Sequence, residues 1–162
     1  MPNRLIVAPF GPIDLDETGG ADGVGHLPTP WFAGRPVPVS VRRLRAGDGP
    51  AAEAALRAFA GLDATARDRA TRFLLDRWDG ALDDRGVRSP LEHEMSALTD
   101  PGGAWAFVHD PGGVVATLKR FDRREIVIHL TVECAWDEEH GAPLAFQNGT
   151  DLVGIGCADD AL

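Results

Sequence analysis

The stretch Glu125-Ile-Val-Ile-His-Leu-Thr-Val-Glu-Cys-Ala-Trp136 decides the fold. Ile126, Ile128, Leu130, Val132, Cys134 and Trp136 fall on one parity, and Val127, His129, Thr131 and Glu133 on the other. A period of two over this length predicts a strand with a strongly apolar face. Trp136 continues that face, which places its ring against a helical layer near Phe73 and Trp78. Downstream, Leu144–Gln147 and Leu152–Cys157 flank Asn148-Gly149, a pair suited to the positive φ angles of a tight hairpin. Upstream, Ala104–Val108 and Val114–Phe121 flank Asp110-Pro-Gly-Gly113, a second turn signal. Residues 104–157 therefore read as an antiparallel meander.

Residues 51–98 read as helical. Asp48-Gly-Pro50 caps a helix over Ala51–Leu62, and Asp63 caps a second that runs to Asp79. In the second, Ala66, Ala70, Phe73, Leu74 and Trp78 form one apolar stripe. Arg67, Asp68, Arg69, Arg72, Asp76 and Arg77 fill its other faces, as a solvated surface would. Pro90 stops the chain before a short helix, Leu91–Leu98.

Residues 1–50 are β-rich and carry 8 of the 12 prolines. Leu5–Ala8 and Pro12–Asp16 flank a Phe10-Gly11-Pro12 turn. Val37, Val39 and Val41 alternate with polar positions and prolines. Pro36 and Pro38 have no N–H to donate, which predicts a strand that lies at an edge or begins there. Gly19–Gly25 reads as a flexible tip. These readings combine into one α+β domain over residues 1–162. It has an antiparallel C-terminal meander, two or three helices packed on one side, and an N-terminal β-hairpin arm.

Charge narrows the function. The 162 residues hold 16 basic and 25 acidic side chains, a net charge of −9. That balance counts against nucleic acid, whose phosphates need a basic surface, and against an anionic membrane. No apolar run approaches a membrane span and no signal-peptide core opens the chain. Two cysteines without an export signal read as reduced thiols, so a cytoplasmic location is expected. Fifteen of the sixteen basic residues are Arg, in a composition typical of a GC-rich bacterial genome. From Thr131 to Leu162 there are seven acids and no Lys or Arg. Such an asymmetry suits a solvated face, a basic protein partner or a cation.

Within that third, Trp136, Asp137, Glu138, Glu139 and His140 are the candidate binding residues. Three carboxylates and an imidazole supply ligand types for a divalent metal. His129 and Glu133 share a parity upstream but lie about 13 Å apart by strand rise, too far to grip one ion. The competing reading is a polar turn in which carboxylates accept backbone N–H bonds and His140 ties the turn. The surrounding acids would then raise the His140 pKa.

Other motifs fall short. Asp14, Asp16, Thr18, Gly19 and Asp22 match the first half of a calcium loop, but Gly25 stands where a bidentate Glu is required. His93-Glu94-Met-Ser-Ala97 opens like a zinc-protease helix and has Ala in place of the second His. No serine lies in a nucleophile elbow, no glycine loop cradles phosphate, and Cys134 lies on the apolar side of its strand. Trp31, Trp78, Trp105 and Trp136 are spread through the chain, which suits core anchors. No catalytic residue, metal or cofactor is expected, and the oligomeric state is not legible.

The run Leu130-Thr-Val-Glu-Cys-Ala-Trp-Asp-Glu-Glu-His-Gly141, continued by Leu144–Gly149 and Val153-Gly-Ile-Gly156, resembles a bacterial domain-of-unknown-function family. Its members share a hydrophobic strand ending in Trp-Asp-x-Glu-His-Gly, then a hairpin and a closing Val-Gly strand. Trp31-Phe-Ala-Gly34 and the helical middle extend the likeness. Ala142-Pro143 departs from the pattern, and Pro143 should delay the next strand by a residue. The resemblance implies a fold rather than an activity. Analogy with small acidic bacterial domains implies an accessory or immunity-like role. Two functions stand open: a non-enzymatic protein whose acidic C-terminal surface meets a basic partner, and a metal-assisted hydrolase using Glu138, Glu139 and His140.

Overall fold

The strand read from Glu125 to Trp136 is the centre of the molecule. The structure is a computed structural model that describes residues 4–28, 31, 34–83, 90, 93–94, 97–109, 116–120, 125–135 and 137–155; at 77–83, 101, 109, 116–120, 137–143 and 155 it describes the backbone alone. Among these residues there are nine strands and two α-helices. The first six strands are β1 (Arg4–Val7), β2 (Gly11–Asp14), β3 (Ala21–Pro28), β4 (Pro36–Arg42), β5 (Val108–His109) and β6 (Ala116–Arg120). The last three are β7 (Ile126–Cys134), β8 (Asp137–Gln147) and β9 (Asp151–Ile155), and the helices are α1 (Gly49–Ala60) and α2 (Ala64–Asp83).

In β7 the expected apolar row is buried throughout, Ile126, Ile128, Leu130, Val132 and Cys134 being at most 1% exposed. On the other parity Val127 and His129 are buried as well, Thr131 is half-buried and Glu133 is exposed. The strand is thus covered on both faces at its start and on one face at its end. Neighbouring strands explain part of this. β6 pairs with it from Ala116↔Leu130 to Arg120↔Ile126, and β8 from Val127↔Gln147 to Cys134↔Asp137, both antiparallel.

One large sheet runs in the order β3-β4-β6-β7-β8-β9, with β5 also against β7, while β1 and β2 form a separate two-stranded arm. β6 to β9 are the expected antiparallel meander, so the α+β class holds. The sheet is nevertheless mixed, because β4 runs parallel to β6, from Val39↔Ala116 to Arg42↔Lys119. Parallel neighbours need a long crossover, and the helical middle of the chain supplies it. α1 packs on β7 and β1, and α2 on β8 and β9, so both helices cover the face that carries Ile126 to Cys134. Leu56, Phe59, Ala70 and Leu74 project into that core.

Val37, Val39 and Val41 are fully buried in an interior strand that begins at Pro36, the second of the two placements expected. The prolines are tolerated because pairing with β6 begins only at Val39, leaving Pro36 and Pro38 opposed by β3 alone. Several local expectations change. Gly19–Gly25 is no flexible tip: a turn ends at Gly20, where β3 follows. Ala104–Val108 is not a strand, since Pro101–Phe107 forms a 3-10 segment whose Asp100 side chain accepts the Gly102 N–H at 3.0 Å. β5 and β6 do not form a hairpin with each other. Both lie along the same side of β7 in the same direction, at Val108↔Cys134 and Ala116↔Leu130. The Asp110–Gly113 turn itself lies outside the described residues. Of Leu91–Leu98, the described part shows one helical turn, with the Ala97 N–H shared between the His93 and Glu94 carbonyls.

The caps differ in kind. Asp63 Oδ1 accepts the Ala66 N–H at 3.1 Å and opens α2 as expected. Asp48 instead turns back to accept the Arg45 N–H at 2.8 Å and makes no side-chain cap bond to α1.

Candidate functional site

The acidic run lies in a strand rather than in a turn. β7 ends at Cys134, and β8 begins at Asp137, which pairs with Cys134 across the reversal. Ala135 anchors that reversal by donating its N–H to the Phe107 carbonyl at 2.9 Å. Asp137, Glu138, Glu139 and His140 are therefore the first four positions of β8, and Trp136 lies outside the described residues. Pro143 does not delay the strand, because it sits in register opposite Thr131. Of Asp137–Gly141 only Asp137 is paired with β7; regular pairing resumes at Ala142, and Glu138–Gly141 form a bulge in the register. Strict alternation of faces does not extend across this run, because one residue of β7, Glu133, lies opposite the four residues Glu138–Gly141. The backbone fixes the positions of Asp137–His140; their side chains, and so the state of the His140 imidazole, lie outside the description.

The neighbouring candidates separate. His129 is 4% exposed whereas Glu133 on the same parity is exposed, so burial divides the two groups that spacing had already set apart. Cys134 is a fully buried thiol with its Sγ 3.8 Å from the Val132 carbonyl, as a packed side chain should be. His93 and Glu94 are exposed. Among the described residues no group of three His, Cys, Asp or Glu side chains is placed to hold a metal.

The calcium-like loop is engaged elsewhere. Asp14 forms an ion pair with Arg4 at 2.7 Å and Asp22 with Arg42 at 2.6 Å. Asp16 Oδ1 accepts the Thr18 N–H, the Thr18 hydroxyl and the Gly20 N–H, each at 2.8 Å. Those backbone and hydroxyl bonds, led by Gly20, hold the Asp16 carboxyl below the usual carboxylate range. The Arg4 hydrogen bond and charge lower Asp14 in the same way. Each carboxylate already has a donor, which is the reason this loop is a structural turn.

One constellation was missed by the sequence reading. Trp31 and Trp105, far apart in the chain, stand edge to face with centroids 5.7 Å apart. Trp31 also packs on Phe146 at 5.5 Å, and Phe146 on Phe59 at 5.3 Å. The Trp105 indole N–H donates to Thr71 Oγ1 at 2.7 Å. The Arg67 guanidinium lies 4.9 Å from the centre of the Trp105 ring. Arg67 is half-buried there, not part of a solvated face. No local signal announces this cluster, because five separate segments bring it together.

The architecture defines an α+β domain: a mixed sheet with both helices on one face and an acidic closing hairpin. The chain belongs to the family described as a domain of unknown function (DUF6985), whose model matches residues 9–162. No curated protein and no solved structure matches the chain. Among the described residues, no helix is long and apolar enough to cross a membrane.

Proposed function

We propose that the protein is a non-enzymatic bacterial binding or accessory protein of the cytoplasm, whose acidic C-terminal region meets a basic protein partner. The carrying observation is how differently the acids are distributed. Asp14, Asp22 and Glu53 are each paired with an arginine, whereas residues 131–162 hold seven acids and no Lys or Arg. Of those seven, Glu133 and Asp151 are exposed. A basic partner facing this region gains association rate and specificity from the complementary charge. Asp137, Glu138, Glu139 and His140 on β8, with Trp136 before them, are the residues assigned to the contact. An immunity-like role is the narrower form of the same reading.

The test is a pull-down from the native lysate at low and at high salt, run beside a variant carrying Asp137→Asn, Glu138→Gln and Glu139→Gln. The wild-type protein should retain a basic partner at low salt and release it at high salt, and the variant should retain none. Nothing retained by the wild type, or the same proteins retained by the variant, ends this reading. The alternative is a metal-assisted hydrolase using Glu138, Glu139 and His140, which lie in the bulge at the start of β8. A stoichiometric ion in untagged protein would favour it instead.

A further inference from the structure

A charge that is half withdrawn from water is ordinarily met by an opposite charge. Arg4, Arg42 and Arg57 each have a carboxylate within 2.7 Å. Arg67 is treated differently. Its guanidinium lies on the Trp105 ring, its Nε is buried without a hydrogen-bond acceptor, and no carboxylate of the described residues is in ion-pair reach. Asp68, next in sequence, is exposed, and Asp63, one turn earlier, has its Oδ1 engaged by the Ala66 N–H.

The surroundings hold this side chain in place. The Asp63 carbonyl accepts both the Arg67 N–H, at 3.3 Å, and the Trp31 indole N–H, at 3.1 Å. Thr71, one turn further along α2, fixes the Trp105 indole. Trp31 is half-buried, so the cluster reaches the surface beside Arg67. A planar guanidinium with one face on an aromatic ring keeps its in-plane N–H groups for an oxyanion, in the geometry that recognises carboxylate or phosphate.

We propose that Arg67, backed by Trp105 and flanked by Trp31, is an anion-binding site that takes a carboxylate or a phosphate group. The site is distinct from the acidic β8 run and does not depend on the function proposed for it. Ligand binding supplies the counter-charge that the described residues do not place there.

The indole N–H signals of the full-length protein report on it directly. Isotope-labelled protein is titrated by NMR with sodium phosphate, with sodium acetate and with sodium chloride at matched ionic strength. The Trp31 and Trp105 indole signals should move and saturate with phosphate or with acetate, and stay still with chloride; which of the two anions acts identifies the chemistry. Arg67→Lys, which keeps the charge and loses the planar fork, should weaken binding roughly tenfold, the loss of one charge-assisted hydrogen bond. Movement of neither signal with either oxyanion overturns the proposal, as does an equal response to chloride. Unchanged affinity in Arg67→Lys overturns it too, and the wild-type titration decides even if that variant does not fold.

Discussion

Two tight turns at opposite ends of the chain solve one problem with different means. In each, a glycine of positive φ sits so close to another segment that a Cβ would strike a backbone carbonyl: Gly19 against Leu44, and Gly149 against Ala55 of α1. The first turn is held by a carboxylate, with Asp16 gathering the Thr18 and Gly20 donors, and by the Leu44 N–H bonded to the Gly19 carbonyl at 3.0 Å. The second is built from backbone and apolar packing, with one side-chain bond beside it, from Gln147 Nε2 to Glu125 Oε2. Asn148 and Gly149 take φ angles of 50° and 83°, the Asn148 N–H reaches the Ile126 carbonyl at 2.7 Å, and Phe146 packs between Phe59 and Trp31. The N-terminal acids are parts of the framework, while the C-terminal hairpin is anchored largely by apolar packing, and of the acids around it Glu133 and Asp151 are exposed.

The strongest way to break this comparison is Phe146→Ala. Phe146 is 1% exposed, and removing its ring should cost about 3–5 kcal/mol in urea denaturation. A loss below about 1 kcal/mol would mean that something other than this ring anchors the hairpin.

Gly149→Ala should come next. Left-handed backbone alone costs an alanine about 1–2 kcal/mol, and the close approach to Ala55 adds to that. Gly23→Ala is the control, because Gly23 has a φ of 58° but open space around its Cβ position. Equal losses in the two variants would show that α1 yields and the contact is not tight.

The carboxylate-held turn should show itself in acid. Since the folded Asp16 pKa lies below its unfolded value, its contribution is full above the unfolded pKa and disappears as pH falls through the folded one. Asp16→Asn should therefore lower the melting temperature at neutral pH and flatten its fall at acidic pH. Parallel curves for the variant and the wild type would remove the carboxylate from the account.

Glu139→Gln should have the smallest effect. An acid left available for a partner changes stability by no more than about 0.5 kcal/mol when neutralised. A cost of about 1–2 kcal/mol would mark it as an acceptor of structural hydrogen bonds and align the two ends of the chain.

Local signals carried the reading where local physics decides. Alternation identified β7, Asn148-Gly149 identified its turn, and Asp63 with the Ala66–Leu74 stripe identified α2. Ala104-Trp-Ala-Phe-Val108 failed because five mostly apolar residues fit a strand and a 3-10 turn equally, and the Asp100 cap decided for the turn. The acidic start of β8 was read as a turn because its composition is loop-like; it enters the sheet only through Asp137↔Cys134 and the pairing that resumes at Ala142, with Glu138–Gly141 as a bulge between. The parallel β4–β6 pairing and the Trp31–Trp105–Arg67 cluster were invisible for the same reason: each joins segments far apart in the chain.

That parallel pairing bears on how the chain is made. During synthesis β4 leaves the ribosome long before β6, and both helices must emerge between them. Its three buried valines belong to the common core, and its second hydrogen-bonded edge stays open until the meander arrives. A contact of such long sequence separation slows folding. The nascent N-terminal half is therefore the form of this protein most prone to pair with the wrong strand, and the prolines at 36 and 38 shorten the edge it exposes in that interval.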